Sequence, residues 1–243
     1  MIDLLKEKAK LWYRAWKYRY RADVPEMRWM LGHLHPGDVA FDIGAHKGAY
    51  AFWMRQATGR KGRVVAFEPQ AKGAQLLRRL FGSGVRVEEI GLSHQAGTQR
   101  FYIQPQNNLV SYEASLENKY ADAIVHEIRT DTLDGYCART GLRPAFLKID
   151  VEGHELEVLR GGTEMLRSSR PRLLLELERR HVGAERMQEV FTFLEGAGYR
   201  GYFFEQGRRQ PLAAFDADKH QSAVSLKGSQ QAYINNFIFE PLT

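Results

Sequence analysis

Val39-Ala-Phe-Asp-Ile-Gly-Ala-His-Lys-Gly48, with the Ala49-Tyr-Ala-Phe-Trp53 that follows it, sets the architecture of this chain. Val39 to Ile43 is a short apolar run with one late acid, the pattern of a parallel strand buried on both faces. Gly44 and Gly48 then bracket a tight turn into a helix. A strand, a glycine loop and a helix start aim backbone N–H groups and a positive helix end above the strand tip, which favours an anionic or nucleotide-like ligand. The spacing Asp-x-Gly-x-x-x-Gly lacks both the Gly-x-Gly-x-x-Gly of a dinucleotide fold and the Gly-Lys-Ser/Thr of a phosphate loop. Hydride transfer and ATP chemistry therefore lose ground.

About twenty residues further on, Arg63-Val-Val-Ala-Phe-Glu-Pro69 is a second apolar strand ending in an acid, Glu68, at the place where doubly wound folds grip ribose hydroxyls. A third strand, Val85 to Ile90, puts Ile90, Gly91 and Leu92 where an adenine ring would lie. Together these pieces favour a ligand containing adenosine.

The chain has 243 residues, enough for one large α/β domain with an N-terminal appendage. Its single cysteine, Cys137, rules out an internal disulfide and a cysteine-based metal cluster and fits a reducing, cytoplasmic setting. The net charge is +6 and the pI about 9.4, but the charge is unevenly placed. Residues 1–22 carry seven bases against two acids, so +5 of the +6 lies there and the body is close to neutral. Leu5, Ala9, Trp12, Trp16 and Tyr20 recur at helical spacing among those bases, which predicts an amphipathic helix. It is neither a secretory signal nor long enough to span a bilayer. Residues 1–22 are thus a helix apart from the domain at 23–243, either lying on the inner face of an anionic membrane or packed on the body or on a second subunit in a homodimer.

Asp23 is placed to cap a second helix that ends near Leu34. After Glu68 the pattern gives a helix over 71–81, and Gln99 to Ile103 is expected as a strand at the sheet edge. The polar segment between Pro105 and Val125 is long enough to serve as a lid or binding segment. Ile128 to Asp134 is expected to introduce a helix through Arg139. Pro144 to Asp150 and Leu173 to Glu178 are further buried strands ending in acids, with Glu176 and Glu178 expected on one face. Helices are expected over 155–159, before Pro171, and over 184–195, and strands over 199–205 and 233–240. Alternation of this kind gives a doubly wound, mostly parallel sheet, with Asp42, Glu68, Asp150 and Glu176 gathered beyond the strand ends.

Several of these runs carry a family resemblance. Phe41-Asp-Ile-Gly-Ala-His-Lys-Gly48, Phe67-Glu-Pro69, Gly91-Leu-Ser93, Thr132-Leu-Asp134, Leu147-Lys-Ile-Asp-Val-Glu-Gly-His-Glu155, Leu159-Arg-Gly-Gly162, Leu174-Leu-Glu176 and Asn235-Asn-Phe-Ile-Phe239 resemble the FkbM family of S-adenosylmethionine-dependent methyltransferases. Lys-Ile-Asp-Val-Glu-Gly-x-Glu is the most specific of them. The resemblance implies the class I methyltransferase fold, a seven-stranded sheet with one antiparallel strand, and methyl transfer to a hydroxyl of a sugar, glycan or other natural product. It implies that Asp42, Gly44, Ala45, His46 and Gly48 cradle the methionine part of the cofactor. Glu68, beside Pro69, would hold the ribose, and Gly91 and Leu92 would border the adenine. Position 46 is often Asn in relatives, so His46 is a departure.

A methyl on a sulfonium is already activated, and the protein has chiefly to align the acceptor oxygen and take its proton. Asp150 is the first candidate base, with Glu176 and His154 beside it. Glu152 and Glu155 can instead accept backbone N–H groups at the helix start, and His181 can reach the rim. Asp150, Glu176 and Glu178 could also hold Mg2+, which would lower the pKa of a coordinated hydroxyl. The adjacent aspartates of related metal-dependent sugar enzymes are missing here, so no metal is expected. An RNA-directed methyltransferase would suit the pI, but the acidic, aromatic-poor tip Asp150-Val-Glu-Gly is a poor stacking platform for a base, and no nucleic-acid partner is expected. A catalytically silent cofactor-binding scaffold is the other alternative.

Overall fold

A computed structural model describes residues 2–103, 114–117, 123–222 and 233–242. Helix α1 (Ile2–Lys17) runs into a π-helical turn, Tyr18–Ala22, and α2 (Val24–His33) leads to β1 (Val39–Ile43). There follow α3 (Ala49–Thr58), β2 (Arg63–Phe67), α4 (Ala71–Phe81), β3 (Arg86–Glu88) and β4 (Gly91–Leu92). β5 (Gly97–Ile103), β6 (Ala114–Ser115) and β7 (Ile124–Asp131) come next. α5 (Leu133–Thr140), β8 (Phe146–Ile149), α6 (Glu155–Arg160), α7 (Thr163–Ser169), β9 (Arg172–Glu176) and α8 (Arg179–Gly196) continue the chain. β10 (Tyr199–Glu205), β11 (Arg208–Pro211), α9 (Ala217–His220) and β12 (Asn236–Pro241) close it.

Among the described residues the main sheet has eight strands in the order β11-β10-β12-β9-β8-β1-β2-β3. The five strands from β9 to β3 are parallel, and β12 runs against both β9 and β10. The expected seven strands with one reversed member are therefore present. To them β11 adds a short antiparallel edge strand, turned back on β10 at Gln206 and Gly207. Phe41, Ile43, Phe67 and Leu147 face one apolar layer, and Ala40, Val64, Ala66 and Phe146 face the other, as the two-residue period of a strand demands. Helices on both sides cover these layers.

Two sequence expectations are corrected here. Gln99 to Ile103 does not extend the main sheet. It lies in β5 of a second sheet, ordered β4-β7-β5-β6, and pairs antiparallel with β7. Ile128 to Asp131 is strand rather than a lead into a helix. The helix starts only at Leu133, where the Thr132 hydroxyl accepts the Gly135 N–H at 2.9 Å. The first four residues of β7 are all exposed, so no buried face marked it in the sequence, and pairing with β5 makes it a strand.

The N-terminal helix packs on the body through Leu11 and Ala15, both buried. The Trp53 indole N–H donates to the Ala15 carbonyl at 2.8 Å, and Arg14 reaches the Lys47 carbonyl. The apolar stripe picked out by spacing is not this packed face. Leu5, Trp12 and Tyr20 point outward.

Candidate functional site

Strand register decides which acids meet. Asp42 lies opposite Lys148 across β1 and β8, and Lys148 lies opposite Leu174 across β8 and β9. Residues two apart share a face, so Asp150 and Glu176 leave the sheet on the same side as Asp42 and Lys148. Lys148 is buried, with its Nζ 3.5 Å from Asp150 Oδ2 and 3.6 Å from Glu176 Oε2. It also lies over the Tyr50 ring, 5.2 Å from the centroid. Burial alone would pull the lysine down, but Asp150, Glu176, Asp42 and Asp23 outweigh it and hold Lys148 above the usual range. The ammonium stays charged.

Glu176 is pushed well above the usual carboxylate range, by burial first and then by Asp150, to which it is hydrogen-bonded. Its carboxyl therefore keeps a proton and shares it with Asp150, while the Asn235 amide donates to Glu176 Oε1 at 2.8 Å. Two neighbouring carboxyls then sit beside a fixed cation, and their closeness favours holding a proton on Glu176. Asp23 joins this group instead of capping α2. Its carboxylate accepts the Tyr50 hydroxyl at 2.6 Å and makes no side-chain cap.

The glycine loop departs from the anion-binding expectation. The Gly44 and Ala45 N–H groups both donate to the Phe67 carbonyl, each at 3.0 Å. The His46 N–H donates to Glu68 Oε2 at 2.9 Å, and the Ala51 N–H to Asp42 Oδ2 at 2.8 Å. These amides are taken up within the protein, so the strand tips present carboxylates rather than donors. Gly44 is required where it stands: its φ is +79°, and a Cβ there would lie 1.8 Å from the Asp150 carbonyl oxygen. This contact brings the glycine loop against the end of β8.

A cleft of about 220 Å³ opens over the ends of β1, β2, β8 and β9. Glu68, Asp150, Glu152, His154, Glu176 and Arg180 form its polar wall, and Ile90, Leu92, Phe101, Leu116 and Ile128 its apolar one. Gly91 and Pro69 also line it. A smaller cavity of about 70 Å³ is lined by Asp42, Ala45, Tyr50 and Lys148, and Tyr18, Gly44, His46 and Asp150 line both. Gly48 lines neither. It starts α3 at φ +77°, and a Cβ there would meet the Phe81 ring at 2.7 Å. The structure thus brings Gly44, His46, Glu68, Pro69, Gly91, Leu92, Asp150, His154 and Glu176 to one cleft, Asp42 and Ala45 to its annex, and Gly48 to a packing position.

Glu68 is held by two backbone donors, His46 and Gln70, and burial raises its pKa to about 7 against them. Burial lowers His46 to about 4, so its ring is neutral at physiological pH. His154 is a buried residue bridging two elements, with Nε2 3.0 Å from the Ser93 hydroxyl and Nδ1 2.9 Å from Glu117 Oε1. Glu155 accepts the Gly153 N–H at 2.9 Å, as a capping acid does. Glu152 instead pairs with His181 at 2.7 Å.

Glu178 is taken up by partners other than those of Glu176. Arg180, at 2.6 Å, and the Tyr233 hydroxyl, at 2.7 Å, occupy its carboxylate and hold it below the usual range in spite of its burial. The proposed Asp150, Glu176 and Glu178 trio is therefore not assembled. The cation seated between Asp150 and Glu176 is the Lys148 ammonium, and among the described residues no group of three or more His, Cys, Asp or Glu is arranged for a metal.

Sequence reasoning passed over Lys148, Tyr18 and Arg14. A lone charge inside the four-residue apolar strand Phe146–Ile149 was the available signal for Lys148. Tyr18, raised to about 12 by burial and then Asp23, reaches the site from the N-terminal segment, which spacing had set apart from the domain. Much of the polar segment between Pro105 and Val125, expected as a lid or binding segment, lies outside the described residues.

The strand order, the single reversed strand among the seven and the cleft at the parallel strand ends define the class I fold of S-adenosylmethionine-dependent methyltransferases. Residues 42–200 match the family model described as the methyltransferase FkbM domain, and the chain belongs to that family. It is 30% identical over 159 residues to the hexuronic acid methyltransferase AglP of Haloferax volcanii, covering 63% of this chain and 62% of that one. It is 27% identical over 155 residues to the 2-O-methyltransferase NoeI of Sinorhizobium fredii, covering 56% and 61%. The chain thus matches less than two thirds of the length of either relative. The crystal structure of an FkbM methyltransferase from Methylobacillus flagellatus superposes with a TM-score of 0.52 at 15% identity, over 96% of this chain and 54% of the other.

Proposed function

We propose that the protein transfers the methyl group of S-adenosylmethionine to a hydroxyl of a sugar or glycan. The observation that carries this reading is the carboxyl pair Asp150 and Glu176, set by Lys148 at the wall of a cleft that also holds Glu68. The residues present fit such a cofactor. Carboxylates suit its positive charge and ribose hydroxyls, and the wall of Ile90, Leu92 and Ile128 suits a flat heterocycle. Glu68 would hold the ribose, Gly91 and Leu92 would border the base, and Gly44, Ala45 and His46 would face the amino-acid part. When bound, the cofactor supplies a methyl group already activated for displacement.

Asp150 does the work on the acceptor. The Lys148 ammonium faces Asp150 at 3.5 Å, while Glu176, pushed toward its protonated form and hydrogen-bonded to Asp150, fixes its direction. Asp150 would accept the hydroxyl proton as the acceptor oxygen takes up the methyl group that the cofactor would supply, leaving the demethylated thioether. His154, held between Ser93 and Glu117, fixes the loop after β8 from which the acceptor is approached. The sugar acceptor is supported by the name of one relative, a hexuronic acid methyltransferase, and the hydroxyl by that of the other, a 2-O-methyltransferase.

The test is calorimetry with S-adenosylmethionine and its demethylated product, followed by transfer of labelled methyl to neutral and uronic-acid glycans. Saturable binding and a base-stable methyl ether are expected. Label that mild alkali releases as methanol would identify a carboxylate acceptor and overturn the hydroxyl assignment. Asp150→Asn should lower kcat about a hundredfold or more while leaving cofactor affinity in place; full turnover would remove the role of Asp150.

A further inference from the structure

The N-terminal helix has two faces, and packing accounts for only one. Leu11 and Ala15 are buried against the body, yet Leu5, Trp12, Tyr13 and Tyr20 remain 62%, 59%, 58% and 52% exposed. At helical spacing Leu5, Trp12, Tyr13 and Tyr20 fall within an arc of about 100° opposite Leu11. Lys8 and Arg19 flank this arc on one side, and Lys6, Lys17 and Arg21 on the other. Exposed aromatics gathered on one helix face are uncommon on a surface that meets only water.

Two of these bases are stacked on aromatic rings. The Arg19 guanidinium lies over the Trp53 ring at 4.2 Å and the Tyr20 ring at 5.2 Å, and Arg21 lies over Trp16 at 5.3 Å. Beside the stripe runs a groove lined by Lys8, Arg55 and Arg60 together with Trp12, Phe52 and Phe81, with no acid among its lining residues. An apolar stripe bordered by cations, next to a cationic and aromatic groove, is complementary to a surface that is apolar below and anionic at its rim.

We infer that this face docks flat on an anionic lipid bilayer, with Leu5, Trp12, Tyr13 and Tyr20 entering the interface and the surrounding bases meeting the headgroups. No helix among the described residues is long and apolar enough to cross a membrane, and the contact proposed is that of an interfacial helix. The opposite side of the same segment gives Arg14 and Tyr18 to the cavities of the candidate site. Docking therefore holds the cleft about one helix diameter, roughly 10–12 Å, from the bilayer.

The experiment is sedimentation of the full chain with phosphatidylglycerol-containing vesicles and with phosphatidylcholine vesicles. Binding to the first and not the second, weakened by high salt, is expected. Lys6→Gln, Lys8→Gln and Lys17→Gln together should weaken it about a hundredfold, at about fivefold per base. Trp12→Ser with Tyr13→Ser should weaken it about tenfold or more. Both variants should keep the wild-type circular dichroism and cofactor affinity, which separates this result from a failure of the site. No sedimentation with anionic vesicles, or equal sedimentation of wild type and variants, would overturn the inference. So would a dimer seen by light scattering that the Trp12 and Tyr13 changes dissolve, because a second copy of the chain would then own this face.

Discussion

Replacing Asp42 by Asn removes a buried charge without changing the shape of the side chain. Burial raises Asp42 from 3.8 to about 7, while Lys148 and the Ala51 amide pull the other way. A carboxyl whose folded pKa lies above its unfolded one binds its proton more tightly in the native state, so folding loses stability as pH climbs between the two values. The penalty is absent below about pH 4 and complete above about pH 7, where it amounts to about 4 kcal/mol. Asn retains an oxygen for the Ala51 N–H and has nothing to ionise. Asp42→Asn should therefore match the wild type near pH 4 and exceed it progressively, with about 2 kcal/mol of the difference developing between pH 5 and pH 7. Urea denaturation followed by tryptophan fluorescence at intervals from pH 5 to 8 measures this gap. A gap that stays constant over that range would show that Asp42 holds no proton in the native state and would refute the reasoning.

Glu68 titrates near 7 through burial, so affinity for S-adenosylmethionine should rise about tenfold from pH 6 to 8 as its carboxylate forms; Glu68→Gln should bind weakly with a flat profile in calorimetry. Lys148→Met leaves Asp150, Glu176 and Asp42 without their cation and should destabilise the fold by about 3–5 kcal/mol. The loss should be largest above pH 7, where Asp42 ionises, and smaller near pH 5, read by the same urea titration. Gly44→Ala must adopt a positive φ costing about 1–2 kcal/mol and also displace the Asp150 carbonyl, so its urea midpoint should fall and methyl transfer should disappear. An unchanged midpoint would mean that the loop does not press against β8.

Legibility differed from one part of the chain to another for identifiable reasons. β1, β2, β8 and β9 are apolar runs buried on both faces, and each was readable because the signal lies within the strand itself. β7 was not readable, since its exposed half owes its conformation to β5 across the sheet. The N-terminal helix was visible from its period, but the period could not say which of two sides would pack. One alanine and a leucine were enough for the body, and Trp12, Tyr13 and Tyr20 were left outside.

The same division runs through the site. Local order along the chain determined the alternation of strands and helices, the glycines of the first loop and the acid at each strand tip, because turns and periodicity are short-range properties. Only the tertiary structure decided that Lys148 would stand between Asp150 and Glu176, that the loop amides would be consumed by Phe67 and Glu68, and that Glu178 would turn to Arg180. Those outcomes depend on register between strands far apart in sequence and on burial, which sets whether a carboxyl keeps its proton. Neither quantity exists until the sheet has assembled.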